Sequence, residues 1–546
     1  MTAPLSLNAT LIAAALALAA CSKQAEAPAA RPAPAPAPTA AAPADTSHAE
    51  GIAWRHAASD ADVDAAFALA KGENKPVFVY WGAKWCPPCN QVKATLFNRM
   101  DFIERSRAFV PVYIDGDSPG AQKLGTRFKV RGYPTMVLFT PAGAELTRLP
   151  GEVDAQQYTQ VLTLGMNAQR PVKAVLADAA AGGKGLGAND WKLLAFYSWE
   201  TDEQQVVPKA QAPAMLKQLA AACPADQPET AGRLLLKSVA LAGEQPPAKP
   251  DAAMRDKVQK LLADPAAAHA HMDVLANYAS DITRALTAAK TPERAAFVEA
   301  YDKALKAIES DTTLSRADRI AALQGRVDLA KVDRAKDDKS PVVLPSALLA
   351  DVREHAARDD REITDGYERQ AVITNAAYTL ADAGLLAESD ALLKANLAKS
   401  HSPYYLMSEL AANAKKRGDN ADALHWYEEA FAKSEGPATR LQWGASYVTN
   451  LIELAPQDEA RIEGAAKQLF DEAAAQPNAF YERSARSLQR VGEKLVAWNK
   501  GSAHAASLQR LQAQLDGVCS RLPADDASQR GVCTGLLKAE AKTKKA

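Results

Sequence analysis

Two thiols separated by two residues, Cys86 and Cys89 in Trp85-Cys86-Pro87-Pro88-Cys89, are the groups of this chain whose type and spacing most directly imply a reaction. A pair so placed at the start of a helix can close into a disulfide and reopen, and the helix N-terminus favours a thiolate on the first thiol. The exchange needs no added cofactor. A thiolate attacks a disulfide sulfur, and the neighbouring thiol resolves the mixed disulfide that forms. Cys86, at the N-cap end and nearer solvent, is expected to attack; Cys89, one turn inside, is expected to resolve. Pro87 and Pro88 suit the first helical positions, whose amides lack intrahelical acceptors anyway, but they also remove two donors that could have stabilised the thiolate. Half of a zinc site or a structural disulfide are the competing uses of such a pair. Zinc would need a second ligand pair nearby, and the next cysteine is Cys223 while the nearest histidine is a solitary His56. No metal is expected.

Those thiols must be held by strands and turns. The apolar run Val77-Phe78-Val79-Tyr80-Trp81 predicts a strand that delivers the cysteines to the protein edge. Downstream, Lys129-Val130-Arg131-Gly132-Tyr133-Pro134-Thr135 leads into a second strand, Met136-Val137-Leu138-Phe139, and a turn at Pro141-Ala142-Gly143. A Gly-X-Pro-Thr entering a strand is a natural place for a cis proline, because proline in a sheet belongs at a strand start.

With these motifs the chain resembles the thioredoxin superfamily, and within it the periplasmic thioredoxin-like domains related to the C-terminal domain of the membrane thiol-electron transporter. The matching stretches are Lys75 to Cys89, Thr95-Leu96-Phe97, and Phe109-Val110-Pro111-Val112-Tyr113-Ile114-Asp115. The resemblance spans residues 52–168. It implies a four- or five-stranded mixed sheet flanked by helices, Cys86 as nucleophile, Cys89 as resolving thiol and Pro134 as a cis proline facing them. Trp85, Pro87, Pro88, Tyr133 and Thr135 become their neighbours. One position departs from the pattern. Six residues before the first cysteine, thioredoxins proper carry a buried aspartate that assists proton transfer; here it is Tyr80.

The N-terminus suggests a compartment. Leu11 to Ala20 is apolar but too short to span a bilayer, and it ends in Leu18-Ala19-Ala20-Cys21-Ser22, which resembles a bacterial lipobox with Cys21 as the lipidated residue. The preceding residues lack the basic charge usual in a signal peptide. On this reading 1–20 is a lipoprotein signal peptide, and Ser22 points to the outer membrane of a Gram-negative bacterium. Residues 21–50, with alternating Pro and Ala, cannot bury a core and read as a tether. Extended at ~3.1 Å per residue, it would reach roughly 90 Å from the anchor.

The α/β unit is assigned to 51–169 and is expected to fold alone. From 170 to 500 alanine, leucine and interspersed charges recur at helical spacing, which predicts a large all-α, solenoid-like region. Gly418 to Ala430 resembles the second helix of a tetratricopeptide repeat, and Gly384 lies 34 residues earlier, the period of that repeat. A generic helical array fits equally well. Residues 501–546 read as a helical hairpin and tail, in which Cys519 and Cys533 can pair across a turn, leaving Cys223 as a buried free thiol. His269 and His271 are read as exposed, since their side chains diverge along a helix. Trp191, Trp199, Trp426, Trp443 and Trp498 are read as core fillers.

The chain carries 64 basic against 65 acidic residues, which argues against nucleic acid as a partner. The leading expectation is a lipid-anchored periplasmic thiol:disulfide oxidoreductase. Its partners would be protein thiols and disulfides and a membrane or periplasmic redox partner, chosen by the helical region. The alternative is a non-enzymatic assembly or chaperone factor in which the thioredoxin module serves as a docking platform.

Overall fold

The structure is a computed structural model that describes residues 51–538, apart from 150, 152–153, 169, 201, 203–205, 244–248, 336–337 and 339. The expected signal peptide, Cys21 and the tether lie outside the described residues.

The first part of the chain is α/β. Strands β1 (Arg55–His56), β2 (Val77–Gly82), β3 (Val110–Asp115), β4 (Thr135–Phe139) and β5 (Glu145–Leu149) form one sheet in the order β1-β3-β2-β4-β5. β2 runs parallel to β3 and antiparallel to β4, with Trp81 opposite Ile114 on one side and Thr135 on the other. All six residues of β2 are buried, as a central strand covered on both faces requires. Alternation divides them. Val77, Val79 and Trp81 pack towards α1 (Asp60–Glu73), while Phe78 and Tyr80 face the opposite side. α2 (Pro87–Val92) runs into a π-helical turn at Lys93–Phe97. α3 (Met100–Ser106), α4 (Ala121–Phe128) and α5 (Ala155–Met166) complete the unit. The mixed five-stranded sheet agrees with the sequence reading.

Every secondary-structure element described after α5 is helical, from Val172–Ala180 to Ala527–Gly535. Helix pairs turn on glycines in the left-handed region: Gly418 (φ 80°) joins Pro403–Arg417 to Asn420–Lys433, and Gly384 (φ 87°) lies between Gly366–Asp382 and Leu386–Asn396. Cys519 and Cys533 are joined by a disulfide that ties the last two helices. Closing a loop of that length contributes about 3 kcal/mol in the chain-entropy model.

The boundary between the two parts is not an apolar gap. One core runs from Phe78, Leu138, Leu149 and Leu162 of the α/β unit into Val175, Leu194, Tyr197 and Leu216 of the helices. The backbone N–H of Ser198 also donates to the carbonyl of Arg148 on β5 (2.9 Å). The α/β unit therefore shares its core rather than closing it alone.

Three side-chain expectations change. His271 is not exposed. It follows the short helix Pro265–Ala270, where the chain turns inward, so its ring is buried against Gly232, and burial pushes its pKa down to about 4. Cys223 is unpaired but half-buried, at the C-terminal end of the Ala212–Ala222 helix. Trp191, Trp199 and Trp443 are buried, whereas Trp426 and Trp498 are half-buried at cluster edges.

Candidate active site

Cys86 is the N-cap of α2 and is joined to Cys89 by a disulfide. Pro87 and Pro88 occupy the first two helical positions and carry no N–H, so the first amide able to reach the cysteine sulfur is that of Cys89. It donates to Cys86 Sγ at 3.2 Å. In the reduced state this amide, with the helix end behind it, favours a thiolate on Cys86. The buried Asn90 locks the turn by donating from Nδ2 to the carbonyls of Lys84 and Cys86, both at 2.8 Å.

The second wall comes from the loop before β4. The Tyr133–Pro134 peptide is cis. Thr135 Oγ1 donates to the Gly132 carbonyl (2.9 Å), and Gln122 Nε2 donates to the Tyr133 hydroxyl (3.1 Å). Tyr133 sets its ring edge-on to Trp85, with centroids 6.2 Å apart. Cys86, Pro87, Pro88, Trp85 and Tyr133 thus border one cleft, whereas Pro134 lines a neighbouring cavity with Gly132, Tyr133 and Gly151.

Tyr80 offers no base. Its hydroxyl is buried with no hydrogen-bond partner among the described residues, and burial, aided by Asp115, pushes the phenol far above its ordinary range. Proton transfer from Cys89 therefore receives no help from this position at neutral pH.

The helical region supplies the third wall, which sequence reasoning did not anticipate. Trp85, Cys86 and Cys89 belong to one apolar cluster with Tyr404, Met407, Ala430 and Trp443. The Trp85 ring meets Trp443 edge-on at 5.0 Å and stacks on Tyr405 at 5.9 Å. Its Nε1 donates to Thr439 Oγ1 (2.8 Å), and Gln370 Nε2 donates to its carbonyl (3.2 Å). Arg483 lies over the rings of Trp85 and Tyr133, at 4.4 and 5.0 Å. Cys86 is consequently only 2% exposed and Cys89 not at all, so the expectation of a solvent-facing nucleophile is replaced by one that borders a cleft walled partly by the helical region.

Asp117, just beyond β3, pins this wall in place. Its carboxylate accepts from the backbone N–H (2.7 Å) and Oγ1–H (2.6 Å) of Thr439, two residues into the Pro437–Leu454 helix. That helix has no side-chain cap of its own, so a residue more than 300 positions away in sequence caps it. Gly436 permits the approach. It has φ 90°, and a β-carbon there would lie 2.6 Å from Asp117 Cγ. Burial, reinforced by Asp115, pushes the Asp117 pKa up to about 6 against the opposing hydrogen bonds.

Only one signal for this wall was visible in sequence. Arg483, Arg486 and Arg490 recur at spacings of three and four, which places them on one helical face. Among the described residues no group of histidine, cysteine or carboxylate side chains is placed to hold a metal.

The fold and the dithiol define a thioredoxin-like domain, and comparison with known proteins agrees. A family model described as a thioredoxin-like domain matches residues 63–165. A thioredoxin-like protein of Synechocystis is 34% identical over 94 residues, covering 17% of this chain and 85% of that protein. By that domain the chain belongs to the thioredoxin-like family. The thiol:disulfide interchange protein DsbD 1 of Pseudomonas aeruginosa is 30% identical over 106 residues, 19% of this chain and 18% of that protein. The chain thus spans about a fifth of the length of the interchange proteins it resembles. The solution structure of a thioredoxin from Thermus thermophilus, 28% identical, covers 21% of this chain and 90% of its own, with a TM-score of 0.18.

Proposed function

We propose that this chain is a thiol:disulfide oxidoreductase acting on protein disulfides outside the cytoplasm, held to a membrane by lipid on Cys21. The observation that carries the redox reading is the Cys86–Cys89 disulfide at the start of α2, with the Cys89 amide on the Cys86 sulfur. In the reductive direction the Cys86 thiolate attacks a substrate disulfide and expels one substrate thiolate. Cys89 then attacks Cys86, releasing the second and leaving the protein oxidised by two electrons. Kinship to interchange proteins and the lipobox-like Leu18-Ala19-Ala20-Cys21 support the compartment and anchor. No helix among the described residues is long and apolar enough to cross a membrane. The glycine-capped helix pairs support degenerate tetratricopeptide-like repeats as the frame that positions the third wall.

The test is a thiol–disulfide titration of the intact protein, with alkylated fractions read by mass spectrometry, beside an insulin reduction assay. Reversible two-electron behaviour confined to Cys86 and Cys89, and turnover lost in Cys86→Ser, is expected. Full insulin turnover by Cys86→Ser would instead refute the dithiol mechanism. Redox-inert cysteines would favour the docking-platform alternative.

A further inference from the structure

The cleft beside Cys86 is strongly basic on a chain that is otherwise neutral. It has a volume of about 770 Å³ and, among the described residues, is lined by four arginines, Arg131, Arg483, Arg486 and Arg490, and one carboxylate, Glu493, with Glu482 just outside it ion-paired to Arg486. The last three arginines project from the Glu482–Trp498 helix. They are engaged to different degrees. Arg483 is held over the Trp85 and Tyr133 rings and donates from Nε to Gln442 Oε1. Arg486 donates to Glu482 Oε2 (2.8 Å) and to the Arg131 carbonyl (3.1 Å). Arg490 is exposed, and its guanidinium makes one long contact, 3.5 Å to Ser487 Oγ. Asp117, the buried acid behind this wall, has both oxygens occupied by Thr439. Guanidinium groups do not deprotonate in proteins, so the excess of positive charge persists at every accessible pH.

Access is the second constraint. With Cys86 2% exposed and aromatic side chains of the helical region packed on Trp85, an extended segment entering the cleft reaches the sulfur more readily than a disulfide fixed on a flat folded surface. A few residues of extended chain fit the volume.

Building on the oxidoreductase reading, we propose that this cleft selects an extended polypeptide segment carrying carboxylates beside its disulfide cysteine. The arginine face attracts and orients the segment so that its sulfur meets Cys86. The peptide disulfide gains two electrons and two protons, and the protein dithiol loses them as the Cys86–Cys89 disulfide forms.

Two short synthetic peptides with the same internal disulfide, flanked by glutamates in one and lysines in the other, test this against fully reduced intact protein. Acid-quenched alkylation and mass spectrometry follow Cys86–Cys89 oxidation. The acidic peptide should react roughly tenfold faster at low ionic strength, and the ratio should collapse at high salt. Arg490→Glu, an exposed change that leaves packing intact, should bring the ratio to about one, while Arg490→Lys should keep most of it. A ratio near one in the unaltered protein, or one that Arg490→Glu does not move, overturns the proposal. Inertness toward both peptides and insulin refutes the underlying redox reading instead.

Discussion

Thr439→Val removes the joint between the redox motif and its helical cover while preserving side-chain shape. Thr439 Oγ1 accepts from Trp85 Nε1 at 2.8 Å and donates to Asp117 Oδ2 at 2.6 Å; valine can do neither. The indole N–H would be left buried without a partner, and Asp117 would keep only the backbone N–H of residue 439. Each loss costs about 1–3 kcal/mol, so the joint should weaken by about 2–6 kcal/mol at neutral pH. The cost should be smaller at pH 5, because Asp117, already pushed up to about 6, can take a proton rather than remain an under-solvated anion. The readout is iodoacetamide alkylation of Cys89, which has no exposed surface, in reduced Cys86→Ser protein. When reclosing is fast, this rate follows the population of the open form. A weakening of 2 kcal/mol corresponds to a rate increase of about 30-fold. A cycle with Trp85→Phe should show coupling of about 0.5–3 kcal/mol. An unchanged alkylation rate with zero coupling would mean that Thr439 does not hold the cover, and the reasoning fails.

Asp117→Asn should change how stability depends on pH. Because burial raises the native pKa from 3.8 to about 6, the native state binds this proton more tightly than the unfolded chain, so its stabilising effect is full below 3.8 and lost as pH rises through about 6. That difference amounts to about 3 kcal/mol. Denaturant melts should show this slope in the native protein and its absence in the variant; parallel curves would contradict it. A chain limited to 51–169 uncovers the side of Leu138, Leu149 and Leu162 that packs towards Leu194 and Tyr197. At about 1.5–3 kcal/mol for each large apolar side chain exposed, the loss rivals the stability of a whole domain. Calorimetry on that fragment should show no cooperative transition, and a sharp melt with normal insulin turnover would show that the α/β core is self-sufficient.

The dithiol, the cis proline and the buried strand were legible in sequence because each rests on a contact with near neighbours: two residues between thiols, a glycine and a threonine around a proline, and an unbroken apolar run. Tyr80 could be recognised as a departure through the family resemblance, which fixes what is expected six residues before Cys86. The cover over Cys86 could not be read, because Trp85 meets Thr439 and Trp443 across more than 350 positions, and nothing local distinguishes a tryptophan that fills a core from one that closes a site. His271 failed on a related ground. Its helix stops one residue earlier, so the divergence expected of a continuous helix does not apply.

The division of labour between the two thiols is the claim on which the rest depends. Intact Cys89→Ser and Cys86→Ser proteins should be exposed to native disulfide substrates, resolved on non-reducing gels and mapped by peptide mass spectrometry. Cys89→Ser is expected to accumulate mixed disulfides through Cys86, since the resolving thiol is gone while the sulfur that borders the cleft remains. Cys86→Ser is expected to accumulate almost none, because Cys89 has no exposed surface. Equal trapping by the two variants, or trapping through Cys89 alone, would contradict the assignment.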